Sequence, residues 1–147
     1  MSSTSIEIYD FADKFREAYS SSVPQAAGFY TSYSGYTDEL VWGAAWLLRA
    51  TGEEKYREMF DKIAEAEYGE QDTKRYYGNT GPLSWDDKRP GAYALIAIIT
   101  KEEKHIQNGY TYDQNLSKWA SNRYAANAAA VVAMFASILE ESDPKRK

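Results

Sequence analysis

One segment, residues 29 to 50, limits the possible folds more than any other part of the chain. It begins with a loop crowded with aromatic and hydroxyl residues and continues directly into a predicted helix over residues 38 to 51. Leucine, valine and alanine lie on nearly all sides of that helix, which indicates burial on several faces. This pattern favours a fold in which other elements enclose the helix.

The remaining apolar residues also recur at helical spacing, and no stretch shows the alternation typical of a strand. Besides the helix over residues 38 to 51, four more helices are predicted. They span residues 5 to 19, residues 53 to about 68, residues 87 to about 101, and residue 116 or 121 to residue 140. Long polar loops precede alternate helices, including one over residues 69 to 85.

Helices that are apolar on most faces alternate with amphipathic ones, which indicates an inner and an outer layer. We therefore expect an all-α fold of about five helices, arranged as part of an α/α toroid; a plain antiparallel bundle is the alternative. At 147 residues the chain is expected to form a single domain. Its ordered core is predicted over residues 5 to 140 and a polar tail over residues 141 to 147.

Composition excludes several classes of protein. The net charge is −5 and no basic stripe occurs outside the last three residues, so nucleic-acid binding is not expected. The chain has no cysteine, which excludes disulfides and thiolate metal sites. No apolar run approaches the length of about 18 residues that a membrane span needs. The N-terminus lacks a signal-peptide pattern, and the sequence leaves the localisation open.

Two adjacent carboxylates, Asp38 and Glu39, follow a Ser34-Gly35 turn at the start of the predicted helix over residues 38 to 51. Hard cations prefer anionic and backbone oxygens, and glycine allows a bent backbone whose carbonyls turn inward. The simpler interpretation is that both acids only stabilise the positive end of the helix. The residues alone favour this simpler interpretation.

Three strings resemble glycoside hydrolase family 9, cellulases built as (α/α)6 barrels. The first contains SGYTDELVWGAAWL, residues 34–47; the second is LSWDDK, residues 83–88; the third is WASNRYAANAA, residues 119–129. The strings occur in the family's order, and YDFADKFR, residues 9–16, fits the helix that precedes them. The resemblance implies a domain shortened from the middle segment of such a barrel.

The resemblance also implies a calcium site shared by two loops that are distant in the sequence. The implied ligands, all oxygen donors, are Ser34, Gly35, Asp38, Glu39, Asp86 and Asp87. Asp86 is the expected third carboxylate, and Asp87 is the less favoured partner. A set with three carboxylates and no soft ligand agrees with calcium.

The family's substrate implies contact with β-glucan along a cleft. The implied contact residues, aromatic rings with one arginine, are Phe29, Tyr30, Tyr33, Trp119 and Arg123. Flat rings can stack on the apolar C–H faces of sugars, although Tyr33 stands where the family often has tryptophan. The alternative is that these rings pack against each other.

The family's catalytic acids are expected to be missing. Its members use an early Asp-x-x-Asp motif as base and a late Glu as acid, about 6.5 to 9.5 Å apart. We expect this chain to begin after the first region and to end before the second. The single histidine, His105, lies in a polar loop and is expected to be solvated.

Three functions follow as hypotheses. The first is a calcium-binding domain derived from a cellulase, with weak glucan binding and no complete catalytic apparatus. The second is a minimal endoglucanase whose acids are relocated among Asp38, Glu39, Asp86 and Asp87. The third is an engineered helical scaffold without a ligand. Apolar helix faces left open by the shortening would also favour self-association.

Overall fold

The structure is a computed structural model that describes residues 3–68, 83–102, 104–105 and 121–142. The regular elements in these ranges are all helical: α1 (Ser3–Lys14), α2 (Tyr19–Ser22), a 3₁₀ turn (Ala26–Gly28), α3 (Thr37–Thr51), α4 (Lys55–Tyr68), α5 (Arg89–Thr100) and α6 (Ser121–Ser142). The predicted all-α class is confirmed. The chain divides into two compact units, Met1–Gly69 and Glu70–Lys147. The single-domain organisation stays a prediction.

The first predicted helix, over residues 5 to 19, is divided in the structure. Helix α1 ends at Lys14 because the Arg16 side chain folds back onto its last turn. Arg16 Nε donates to the Asp13 carbonyl at 3.1 Å, and Arg16 Nη2 donates to Asp13 Oδ1 at 2.5 Å. A basic side chain that satisfies a carbonyl at the end of a helix favours termination there. Ala18 then adopts an extended backbone before α2 begins.

Helix α3 ends and is buried as its sequence predicts, but its N-cap residue differs from the plausible one. Tyr36 takes the N-cap position without a side-chain hydrogen bond, and Thr37 is the first helical residue rather than the cap. At the other end Gly52 adopts a left-handed backbone with φ of 69°, and its N–H donates to the Leu48 carbonyl at 2.8 Å. Glycine adopts this conformation without a steric penalty. The predicted helix stop is therefore confirmed.

Within the first unit, α4 packs along α3 as an antiparallel hairpin with a very short connection. The buried apolar residues of the two helices are Leu40, Val41, Ala44, Ala45, Leu47 and Leu48 on α3, with Tyr56, Phe60 and Ile63 on α4. Burial of apolar surface from these residues is the main stabilising contribution in this unit.

A second face of α3 is covered by α1 through one aromatic side chain. Tyr9 is buried, its hydroxyl donates to the Leu40 carbonyl at 3.1 Å, and its ring meets the Tyr56 ring edge to face at 6.2 Å. A Cβ atom added at Gly43 would lie 2.8 and 2.9 Å from two carbon atoms of the Tyr9 ring. The two helices therefore approach this closely because residue 43 has no side chain.

In the second unit, α5 is buried along most of its length and packs against α6. Pro90 lies in the first turn of α5, where its missing N–H costs no hydrogen bond. Ala94, Ala97 and Val131 form the contact between the helices. The Asn127 amide adds a bond from Nδ2 to the Leu83 carbonyl at 2.7 Å. The small residues at this contact, Ala94 and Ala97, lie on α5, while α6 contributes Val131 and Met134.

Of the helices in the described ranges, none combines the length and the apolar character needed to cross a membrane.

Replacing Tyr9 with phenylalanine tests the contact between α1 and α3. Loss of the bond to Leu40 is expected to lower the free energy of unfolding by about 1 kcal/mol at neutral pH. Burial, and then the charge of Asp13, raises the pKa of Tyr9. The folded state therefore keeps a proton that the unfolded chain releases above about pH 10, and stability falls as the pH rises through that range.

Urea unfolding of Tyr9→Phe at neutral and alkaline pH should show both effects: lower stability at pH 7 and a shallower alkaline decline. Tyr33→Phe, at a ring that is 80% exposed, is the matched control and should change neither quantity appreciably. An alkaline decline as steep in Tyr9→Phe as in the parent chain would contradict the assignment.

Gly43→Ala should destabilise the chain by about 1 to 3 kcal/mol, because the added methyl group meets the buried Tyr9 ring. Alanine otherwise favours a helix by about 1 kcal/mol over glycine. In a Tyr9→Ala background the same substitution should therefore become stabilising. A double-mutant cycle measures this change of sign.

Gly28→Ala is the control for Gly43→Ala, because no heavy atom beyond its chain neighbours and its own helical turn lies within 4 Å of the position its Cβ would take. It should show no coupling to residue 9. Equal effects of Gly43→Ala in both backgrounds would exclude the proposed steric contact.

Candidate functional site

The loop before α3 is organised by hydrogen bonds between its own residues. Gly35 adopts a left-handed backbone with φ of 84°, a conformation that glycine accepts readily. Ser32 Oγ donates to the Gly35 carbonyl at 2.7 Å, and Ser34 Oγ donates to Asp38 Oδ1 at 3.0 Å. The turn therefore joins the first turn of α3 through the Asp38 carboxylate.

Asp38 is completely buried, with 0% of its surface exposed. It lies in the first turn of α3, where the partial positive charge of the helix end favours an anion. Glu39 follows it, half-buried, and its Oε2 atom is shielded from solvent. The structure thus brings Ser34, Gly35, Asp38 and Glu39 together around one turn and one helix end.

The loop over residues 83–88 forms a second hydrogen-bonded turn, in the other unit. Ser84 Oγ accepts the backbone N–H groups of Asp86 and Asp87 at 3.3 and 3.1 Å, and the Ser84 N–H donates to the Asp87 carbonyl at 3.0 Å. This turn leads directly into α5.

The carboxylate of Asp87 is buried and forms hydrogen bonds and an ion pair with Arg89. Its Oδ1 accepts the backbone N–H of Arg89 at 3.0 Å and Nε at 2.7 Å, while Oδ2 accepts Nη2 at 2.6 Å. Such bidentate, charge-assisted pairs are among the stronger hydrogen bonds in proteins. Arg89 therefore competes with any cation for Asp87, which leaves Asp86 as the better candidate ligand of the two.

Within the described part of either unit, no group of three or more Asp, Glu or His side chains is placed to hold a metal ion. The predicted calcium set takes its carboxylates from both units, so the geometry of one unit alone does not test it. The set of Ser34, Gly35, Asp38, Glu39 and Asp86, with Asp87 as the less favoured member, stays a prediction.

Three of the predicted sugar-contacting residues lie on one loop with their rings largely in solvent. Phe29 is 85% exposed, Tyr33 is 80% exposed and Tyr30 is 57% exposed. The Tyr19 hydroxyl donates to the Tyr30 carbonyl, and Tyr30 N–H donates to the Ala26 carbonyl at 2.7 Å, so the loop backbone is tied to α2 and to the 3₁₀ turn. Trp119 lies outside the described residues, as does the side chain of Arg123.

The prediction that His105 is solvated was wrong. Its side chain is only 2% exposed, and Nδ1 lies 2.8 Å from Thr100 Oγ1. The Thr100 hydroxyl also donates to the Ile96 carbonyl at 2.9 Å, so the imidazole is held at the end of α5 beside a partly buried hydroxyl. The threonine at the end of α5, five residues earlier, is the signal in the sequence that could have indicated this bond.

Comparison with known proteins agrees with this fold. The model of glycosyl hydrolase family 9 matches residues 1–147. Endoglucanase B of Cellulomonas fimi is 36% identical over 165 residues, which cover 96% of this chain and 15% of that protein. Endoglucanase A of Bacillus pumilus is 35% identical over 164 residues, which cover 96% of this chain and 24% of that protein.

A solved structure, that of an endoglucanase from the termite Nasutitermes takasagoensis at pH 2.5, matches with a TM-score of 0.74 and 30% sequence identity. The match covers 91% of this chain and 32% of the termite chain. The chain thus spans about a third or less of the length of these relatives. The predicted fold class, part of an α/α toroid, is consistent with this match. With its whole length matched by the family model and its helices matched by the termite structure, the chain belongs to glycosyl hydrolase family 9.

Proposed function

We propose that this chain is a calcium-binding helical portion of a family 9 glycosidase fold, which contacts β-glucan and does not itself supply the catalytic acid pair. The observation that carries the proposal is the fully buried carboxylate of Asp38, held by Ser34 at the start of α3. The relatives named above are endoglucanases, which supports a β-glucan as the ligand.

The buried charge of Asp38 supports a cation at this end of α3. Removing a carboxylate from water is costly unless opposite charge or several hydrogen bonds compensate it. The Ser34 hydroxyl and the helix end are among the groups that offset this cost. A divalent cation would compensate the charge more fully than a neutral hydroxyl does.

The neighbouring oxygens have the chemistry that calcium prefers. Calcium takes about six to eight oxygen ligands, from carboxylates, backbone carbonyls and water. Ser32 uses one lone pair of the Gly35 carbonyl, and a second lone pair remains on that oxygen for a cation. The Ser34 carbonyl and the Glu39 carboxylate are two further oxygen donors close to it in the sequence. The Asp86 carboxylate would be the third acidic ligand. Calcium would hold these oxygens in one arrangement and stabilise the folded state.

Exposed aromatic rings support the glucan contact. Phe29, Tyr30 and Tyr33 present flat apolar surface from a loop whose backbone is hydrogen-bonded at both ends. Rings of this kind can stack on the C–H faces of a pyranose, while the tyrosine hydroxyls bind sugar hydroxyls. Because tyrosine gives less stacking surface than tryptophan, we expect the affinity to be low.

Two of the four carboxylates considered as relocated catalytic acids, Asp38 and Asp87, are better suited to a structural role. Asp38 is buried against Ser34, and Asp87 is bound through both oxygens to Arg89. A general acid or base must reach the substrate within hydrogen-bonding distance, and neither group is exposed to do so. We therefore propose that the acid pair of glucan hydrolysis is not supplied by these residues.

Calcium is expected to raise the melting temperature of the chain relative to the same protein in EGTA. At a free concentration of about 100 times Kd the gain is about 2.7 kcal/mol, which corresponds to roughly 5 to 10 °C for a chain of this size. Asp38→Asn should remove most of this increment. The measurement is thermal unfolding followed by circular dichroism, with calcium content determined by trace-metal analysis.

The control for Asp38→Asn is Asp10→Asn, at an exposed acid on α1, which should keep the full calcium increment. The increment, rather than the absolute melting temperature, is the readout, because Asp38→Asn also disturbs the bond from Ser34. Equal increments in both variants, or no calcium in the purified parent chain and no increment, would contradict the calcium proposal.

Phe29→Ala and Tyr33→Ala should each weaken binding of cellohexaose by about two- to tenfold, the loss expected for one aromatic contact of about 0.5 to 1.5 kcal/mol. Titration followed by NMR chemical shifts suits an affinity in the millimolar range. Phe11→Ala, at an exposed ring on α1, is the control and should bind cellohexaose as the parent chain does.

The same samples should release no reducing ends from a soluble cellulosic substrate. Turnover that disappears in an Asp86→Ala, Asp87→Ala double variant would instead support the minimal endoglucanase. Failure to bind either calcium or cellohexaose would favour the scaffold without a ligand.

A further inference from the structure

We propose that a groove in the first unit, between α1, α2 and the start of α3, is a binding site for a small organic cation, an ammonium group carried on an apolar body. The groove has a volume of about 410 Å³, within the range of about 300 to 1,000 Å³ typical of small-molecule sites. The residues that define its chemistry are Phe11, Phe15, Tyr19, Tyr36, Glu17 and Glu39. It is separate from the exposed rings of Phe29 and Tyr33.

Aromatic rings form the apolar part of the groove. Phe11 and Phe15 lie one helical turn apart with ring centroids 4.8 Å from each other, and both are more than half exposed. The Tyr19 ring is anchored because its hydroxyl donates to the Tyr30 carbonyl. Aromatic faces attract cations through the ring quadrupole. The ammonium of Lys14 already lies 5.3 Å from the centroid of Phe15, so this ring accepts a cation on one side.

The carboxylates that line the groove favour a ligand with a positive charge. Glu17 lies at its rim, where Oε2 accepts a long bond of 3.3 Å from Ser22 Oγ. Glu39 contributes a second, half-buried carboxylate. Residues 7 to 17 contain four acids and two bases, and one of the bases, Arg16, is paired with Asp13. An anion would be repelled here, and a neutral apolar molecule would leave the two carboxylates unused.

The groove combines aromatic rings with carboxylates, and its volume is large enough for a small molecule. These properties fit a substituted ammonium ion. The charged head would lie near Glu17 and Glu39, and an aryl or alkyl group would contact Phe11 and Phe15. This combination of stacking and charge is the one by which proteins bind quaternary ammonium ligands. Glu39 belongs to the predicted calcium set as well, whereas Glu17 and the four rings lie outside it, so the groove is tested without calcium and through variants of Glu17 and Phe15.

The test is a titration of the intact chain with benzyltrimethylammonium, and separately with neutral benzyl alcohol, at low salt in EGTA. We expect the cation to bind at least tenfold more tightly than the alcohol. Glu17→Gln and Phe15→Leu should each weaken binding of the cation about three- to tenfold. Glu7→Gln, at an exposed acid on α1 that is not among the groove residues, is the matched control and should leave the affinity unchanged. A melting curve for each variant verifies folding.

Equal affinities for the cation and the alcohol would overturn the proposal, as would cation binding that neither Glu17→Gln nor Phe15→Leu weakens. Displacement of the cation by cellobiose at comparable concentration would identify the groove as a site for neutral sugars and would also overturn it. Because EGTA is present throughout, a failure here and a failure of the calcium proposal are distinguished from each other.

Discussion

The described part of the first unit depends on the burial of α3 on more than one side. Helix α4 covers it with Tyr56, Phe60 and Ile63, and α1 covers another face with Tyr9. A helix enclosed in this way has a fixed position for its N-terminal turn, and that turn holds Asp38 and Glu39. The burial of Asp38 is therefore a consequence of how α3 is packed. Within the first unit, the candidate ligands Ser34, Gly35, Asp38 and Glu39, the exposed aromatic loop and the groove all lie around this helix end.

Much of the fold could be predicted from the sequence, because the relevant information is local. Apolar periodicity and the stop at Gly52 placed α3 within one residue of its observed bounds, and α5 lies within the predicted range with Pro90 in its first turn. The end of α1 could not be predicted in this way. It is set by the bond from Arg16 back to Asp13, which depends on the path of one flexible side chain. Periodicity alone extended that helix to residue 19.

The candidate site, like the fold, could be predicted from the sequence only in part. The turn of Ser34 and Gly35 followed by two acids identified the residues that the structure gathers at α3. The resemblance favours Asp86 over Asp87, but the sequence does not show that the Asp87 carboxylate is bound by a guanidinium two residues further on. Arg89 takes both oxygens of Asp87. The polar sequence neighbours of His105 predict a solvated side chain, but the imidazole is buried and a half-buried threonine at the end of α5 is its partner.

The contact between Tyr9 and Gly43 also fixes the register of α1 along α3. The ring occupies the space that a side chain at residue 43 would fill, and its hydroxyl holds the Leu40 carbonyl. A shift of α1 by one helical turn, about 5.4 Å, would bring the ring onto Leu47 or Glu39, where side chains block the approach. Sliding of α1 is therefore opposed by steric exclusion in both directions. A single missing side chain thus determines where a neighbouring helix can lie.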